Sequence, residues 1–162
     1  MPTWSVGLET RASAQRAAKW GAIACFFQSA REMLGNFLTV SLSGKPLDLA
    51  VVWFIGANLF AIFLLIAGIR LWRRAGWIWG SLAALLVLVE LAMSLLDPRW
   101  VTNAYQPIIA TVTSFASIAA TAALVASLLV KLVLFVLISN GVRGALALRK
   151  LGDRDDLGRV FG

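Results

Sequence analysis

The sequence predicts an all-α membrane protein with four transmembrane helices, both termini cytoplasmic, and an extra interfacial helix before the last span. Of its 162 residues, 60% are hydrophobic and only 14% are charged, whereas a soluble domain of this size would carry far more charge. Apolar runs long enough to cross a bilayer alternate with polar turns. The Lys and Arg residues collect at alternate ends of those runs, which indicates topology rather than a basic binding face.

The first element is a polar cytoplasmic tail over residues 1–18, which becomes helical near its end. The first span then covers about residues 19–42, with Trp20 at its inner edge. This span is the least hydrophobic of the four, because several polar residues interrupt it. They are Gln28, Arg31, Glu32, Asn36 and Thr39.

Most of these polar residues share one face of the predicted helix. Gln28, Glu32, Asn36 and Thr39 recur at the spacing of successive helical turns, with Arg31 beside them. On a spanning helix such a stripe faces protein or water rather than lipid. An amphipathic helix that lies flat at the membrane interface would show a similar stripe. The distribution of basic residues, described below, favours a span.

The second span covers about residues 47–71 and is the most uniformly apolar segment, with Asn58 as its uncharged polar residue. It ends in a basic hinge where indole and guanidinium groups alternate, a composition typical of the headgroup level of a membrane. The hinge contains Arg70, Trp72, Arg73, Arg74, Trp77 and Trp79.

The third span covers about residues 76–96 and ends before Pro98, because proline cannot continue a helix. Glu90 lies inside this span, and Ser94 follows it by one helical turn. Both side chains are therefore expected within the membrane.

The last apolar stretch is far longer than the roughly 20 residues that cross a bilayer. Turn residues are absent from its centre, so we expect an outer interfacial or partly re-entrant helix over about residues 107–119. The fourth span then covers about residues 121–146, and Gly141 and Gly144 are expected to close it. A charged cytoplasmic tail, residues 149–162, follows and is expected to be mobile.

The basic residues favour four spans. With the N-terminus inside, eleven of the fifteen Lys and Arg residues fall on the cytoplasmic side, and only Lys45 and Arg99 fall outside. Arg31 and Lys131 lie within spans. This is the asymmetry of the positive-inside rule, and three or five spans would place a terminal basic cluster on the wrong side. The membrane domain therefore covers residues 19–148.

Four ionisable residues lie inside the predicted spans, Arg31, Glu32, Glu90 and Lys131, and their charges cancel. An unpaired charge at this depth costs at least about 2.5–3.5 kcal/mol, so we expect pairing. One interpretation is an ion-pair network that fixes the order of helices. The other is a path for protons, ions or solutes, with Glu90 or Glu32 as the titrating group. The candidate polar lining of such a path is Gln28, Asn36, Thr39, Asn58 and Ser94.

The chain has no histidine, and Cys25 is its single cysteine. Histidine-ligated metals, histidine bases, cysteine clusters and internal disulfides are thereby excluded. We expect no metal site, no cofactor and no catalytic residues, and an integral membrane enzyme is the least favoured function class. No basic face suited to nucleic acid is indicated. The expected partners are the lipid bilayer and either further copies of the chain or a larger membrane complex.

The segment Phe135–Arg149, which contains the pattern G-V-R-G-x-x-A, resembles the ending of small uncharacterised four-span bacterial inner-membrane proteins. The second span, leading into an arginine-rich turn, resembles them as well. The resemblance implies a multi-pass protein of the bacterial inner membrane and supplies no activity.

The sequence therefore favours two classes of function. The first is a non-catalytic protein of structural or accessory type, associated with a complex. The alternative is a small oligomeric transporter or channel that uses Glu90 or Glu32 together with Lys131 or Arg31.

Overall fold

A computed structural model describes residues 10–42, 47–73, 76–96 and 116–161. Of the interfacial helix predicted for residues 107–119, residues 107–115 lie outside the described part, and the remainder begins the last helix. The described residues form four α-helices and no strand. These are α1 (Arg11–Leu42), α2 (Leu47–Trp72), α3 (Trp77–Leu96) and α4 (Ala116–Phe161).

Three helical segments within the described residues are long and apolar enough to cross a membrane: Phe54–Trp72, Trp77–Leu96 and Thr121–Leu151. The prediction of an all-helical membrane protein is confirmed at this level. The first helix is not among the three, because Arg31 and Glu32 sit in the middle of its apolar residues.

The start of α1 is defined by a side-chain cap. The backbone N–H of Ser13 donates to Oγ1 of Thr10 at 3.2 Å, and the Ser13 hydroxyl donates to the Thr10 carbonyl at 2.8 Å. A threonine at this position satisfies backbone N–H groups that have no partner within the helix. The helix therefore begins at Arg11, close to where the sequence places the change from tail to helix.

Neighbouring helices run in opposite directions, and α1 packs against both α2 and α4. Gly21 meets Gly141, while Ala14, nearer the start of α1, meets Gly144, further along α4. The ring of Phe26 contacts Trp72 at the end of α2. The start of α1, the end of α2, the start of α3 and the C-terminal half of α4 therefore lie together, and we call this the hinge end of the bundle.

The closest approach of two helices is made by glycines. A Cβ added at Gly141 would lie 2.6 Å from the Cα of Gly21, and one added at Gly144 would lie 2.6 Å from the carbonyl oxygen of Ala14. Only a residue without a side chain allows backbones to approach this closely. The expectation that Gly141 and Gly144 close the last helix is therefore wrong. They are packing positions, and α4 continues through them into the charged tail as far as Phe161.

The outer surface of the bundle is apolar, whereas its interior contains both apolar and polar side chains. Large aliphatic side chains cover the exposed faces of α2, α3 and α4, as expected for helices surrounded by lipid. Ser29 is buried and its hydroxyl donates to the Ala61 carbonyl at 2.7 Å, which joins α1 to α2. Aromatic pairs add to the contacts of α2 with α1 and α3: Phe26 with Trp72, Phe37 with Phe54, and Phe63 with Trp79.

Replacing Gly141 with alanine is expected to destabilise the bundle by about 1–3 kcal/mol, because the new methyl group meets the backbone of Gly21. The matched control is Gly56→Ala on α2, where an added Cβ has no heavy atom within 4 Å in the described part of the chain. Alanine favours the helix by up to about 1 kcal/mol over glycine, so the control should be neutral or stabilising. The measurement is loss of helical circular dichroism in mixed micelles of rising SDS content. Equal stability of the two variants would contradict the packing role of Gly141.

Candidate functional site

The four ionisable residues inside the predicted spans lie in one group, which we call the charge cluster. Arg31 and Glu32 come from α1, Glu90 from α3 and Lys131 from α4. Each of these helices reaches the cluster at a similar height. Arg31 follows Gly21 by ten residues, Glu90 follows Gly80 by ten, and Lys131 precedes Gly141 by ten. At about 1.5 Å per residue, the cluster lies roughly 15 Å from the glycine crossing.

Lys131 is the most deeply buried member, with 4% of its side chain exposed. Its Nζ lies 2.7 Å from Oε1 of Glu90 and donates to the hydroxyl of Ser94 at 2.8 Å. The Ser94 hydroxyl in turn donates to the backbone carbonyl of Glu90 at 2.7 Å. The serine is thus oriented so that its oxygen lone pairs face the ammonium group. Lys131 attaches α4 to α3 through a charge and a hydroxyl on successive turns.

Glu90 connects all three helices of the cluster. Its Oε1 contacts Lys131 and also NH2 of Arg31, at 3.4 Å. Its Oε2 accepts a hydrogen bond from Nε2 of Gln28 at 3.1 Å. Both carboxylate oxygens therefore have partners, and 14% of the side chain is exposed.

The α1 side of the cluster is more exposed. NH2 of Arg31 lies 2.9 Å from Oε1 of Glu32, and each side chain is 22% exposed. Nε2 of Gln28, one turn before Glu32, donates to the same oxygen at 2.8 Å. Exposure therefore rises from Lys131 at the centre to Arg31 and Glu32 at the surface.

The positive and negative charges of the cluster balance. Two cations face two carboxylates, and each charged side chain has an oppositely charged partner at 2.7 to 3.4 Å. In a medium with little water, removing one member of such a group leaves an uncompensated charge and costs several kcal/mol. Among the described residues, no group of three or more His, Cys, Asp or Glu side chains is arranged to hold a metal ion. The chemistry open to this site is therefore ion pairing and, where water enters, proton exchange.

The five residues named as a polar lining separate in the structure. Gln28 and Ser94 belong to the cluster. Nδ2 of Asn36 lies 3.5 Å from Oδ1 of Asn58, so this pair joins α1 to α2 instead. Thr39 is exposed, and its hydroxyl donates to the carbonyl of its own helix one turn earlier. The five side chains therefore fall into separate sets of contacts.

Two buried polar residues were missed by sequence reasoning. Ser29 joins α1 to α2, as described above. Ser127 lies one turn before Lys131 on α4, and its hydroxyl has no partner within the described residues. Its spacing of four residues from Lys131 was the available signal. The Gln28 Oε1 atom is likewise buried and without a partner in the described part.

No protein-family model, no curated protein and no solved structure matches this chain. Function must therefore be inferred from the cluster and from the surface of the bundle.

Replacing Lys131 with methionine should destabilise the protein by about 3–5 kcal/mol, because Arg31, at 3.4 Å, is then the one oppositely charged partner that Glu90 keeps among the described residues. Adding Glu90→Met should recover most of this loss, since the Arg31–Glu32 pair remains balanced. Lys150→Met, which removes an exposed cation from the same helix, serves as the control and should have little effect. SDS titration compares five purified proteins: wild type, Lys131→Met, Glu90→Met, the double variant and Lys150→Met. Strictly additive effects of the two substitutions would contradict a coupled network.

Proposed function

We propose that this chain is a non-catalytic, multi-pass protein of the bacterial inner membrane, of structural or accessory type, which acts by association. The observation that carries the proposal is that every charged side chain of the charge cluster is paired within the bundle. Lys131 is almost fully buried and contacts both a carboxylate and a hydroxyl. Glu90 has a partner on each of its carboxylate oxygens. These contacts suit charges that hold helices together.

The alternative proposal is a small oligomeric transporter or channel with Glu90 or Glu32 and Lys131 or Arg31 along its path. A conducting path requires groups that exchange partners with water or with the transported species. The contacts of Lys131 and Glu90 favour the association role over this one. Its best support is the partial exposure of Arg31 and Glu32.

We further propose that α1 is a fourth span. Its most exposed side chains from Trp20 to Phe37 are apolar. They extend over about 26 Å, which approaches the roughly 30 Å of the hydrocarbon core. Its polar residues Gln28 and Ser29 face the interior. A helix lying flat at the interface would have the opposite arrangement, with charged residues outward. The exposed apolar side chains of α1 are Trp20, Ile23, Phe27, Met33, Leu34 and Phe37.

We propose that the hinge end lies on the cytoplasmic side, together with both chain termini. Lys19 lies 5.6 Å from the ring centre of Trp72, and Arg70 lies 6.0 Å from that of Trp79. Paired cations and indoles of this kind suit a headgroup layer, and exposed cations collect on the cytoplasmic side of membrane proteins. The exposed cations at or beyond the hinge end are Arg11, Arg16, Lys19, Arg70, Arg73, Arg143, Arg149 and Lys150.

Sided labelling tests the span and its orientation. In a Cys25→Ala background, a single cysteine is placed at Ala12 or at Ser41, both exposed and near opposite ends of α1. In spheroplasts, an impermeant maleimide should label the Ser41→Cys protein directly and the Ala12→Cys protein only after permeabilisation. A flat helix on the cytoplasmic face would leave both unlabelled until permeabilisation, which would overturn the four-span proposal.

Reconstitution separates association from transport. Vesicles that contain the wild-type protein should pass protons and potassium ions no faster than empty vesicles, because each charged side chain of the cluster is paired within the bundle. Gentle purification should instead yield a defined complex, with itself or with a partner at fixed ratio. Flux that Glu90→Gln abolishes and Lys150→Met preserves would replace the association proposal by the transporter.

A further inference from the structure

We propose that a second copy of this chain binds α1 at the exposed edge of the charge cluster, through Arg31, Glu32 and Gly35. The inference rests on the proposed function of association and names the partner. Some hydrogen-bond donors of Arg31 and acceptors of Glu32 have no partner in the contacts described above.

Arg31 and Glu32 use only part of their bonding capacity. Within the described residues, Arg31 contacts both carboxylates through NH2, and Glu32 accepts through Oε1. A guanidinium carries five N–H donors and a carboxylate two acceptor oxygens. Each side chain is 22% exposed, so part of this pair lies at the surface of the bundle.

At this depth neither water nor lipid headgroups satisfy these atoms. Trp20 marks the hinge-end boundary of the apolar face of α1, and Arg31 lies eleven residues further on. That is about 16 Å, near the middle of a hydrocarbon core roughly 30 Å thick. Polar groups exposed there need partners from protein. Among the described residues, Glu90 is the group from another helix that contacts this pair.

A second copy supplies complementary groups at the same height. Copies inserted in the same orientation present identical residues at identical depth. Arg31 and Glu32 differ by one helical rise, about 1.5 Å, so Arg31 of one copy lies level with Glu32 of the other. The reciprocal pair forms at the same time, which is the geometry of a two-fold interface. The two residues together carry no net charge, so the second copy introduces no unbalanced charge into the membrane.

Gly35 lies one turn beyond Arg31 and allows close approach. A Cβ built there has no heavy atom within 4 Å in the described part of the chain, so contacts inside the bundle do not require glycine at this position. Small residues on an open face let a second helix come near enough for side chains to bond across. Gly56 on α2 has the same open space, but no charged residue lies within one turn of it in the sequence. It therefore serves as the matched control.

Cysteine cross-linking in the native membrane tests the interface. In a Cys25→Ala background, Gly35→Cys should give a disulfide-linked species of twice the mass on mild oxidation, and Gly56→Cys should not. Gly35→Leu should lower the dimer fraction on the order of tenfold in single-molecule photobleaching of bilayers, because the side chain separates the two helices. Gly56→Leu should leave it unchanged.

A charge exchange tests the pairing itself. Arg31→Glu and Glu32→Arg should each reduce self-association, because like charges then face one another across the two-fold axis. Co-expression of the two variants should restore dimers, since both contacts become complementary again in the mixed pair.

The outcomes distinguish this inference from the proposed function. Absence of a Gly35→Cys dimer, or equal cross-linking at Gly56→Cys, would overturn the second-copy interface while leaving association with another protein intact. A Gly35→Cys adduct to a protein of different mass would overturn it in the same way. Failure of the association proposal appears elsewhere, as flux through reconstituted vesicles.

Discussion

A charge removed from water must find its counter-charge inside the protein, and the contact between Lys131 and Glu90 meets this requirement for the whole bundle. Because Oε1 of Glu90 also faces Arg31, a single carboxylate determines how three helices stand relative to one another. Ser94 completes the surroundings of the ammonium group from the next turn of the same helix. Sliding α3 or α4 by one turn would separate Lys131 from the carboxylate of Glu90.

The bundle is held by two different kinds of contact at two heights. At the hinge end, Gly21 and Gly141 bring backbones together, and the attraction is dispersion between many atoms. About 15 Å further along the helices, the charge cluster acts through few, directional bonds. Helix α2 supplies none of the four charges and is attached by the Ser29 hydrogen bond and by aromatic pairs. Close packing sets the distance between helices, and the charges set their register.

The sequence predicted those features that depend on the composition of one segment or on the depth of one residue in the membrane. The apolar character of three helices was readable from composition, and the depth of Glu90 and Lys131 indicated that they pair. The role of Gly141 was not readable, because a glycine breaks a helix or admits a neighbour depending on tertiary contacts. Composition alone also conceals the character of α1, since it averages an apolar outer face with a polar inner one.

The adjacency of Arg31 and Glu32 has a consequence for how the protein is made. The ribosome makes α1 before the rest of the bundle exists, and Glu90 follows Arg31 by 59 residues. During that interval Arg31 has a counter-ion in its immediate sequence neighbour, and Gln28 reaches the same carboxylate from the preceding turn. The charge of Arg31 is therefore neutralised within the first helix while the rest of the chain is being synthesised. Its charges keep this local pairing and add the contact with Glu90 when the later helices arrive.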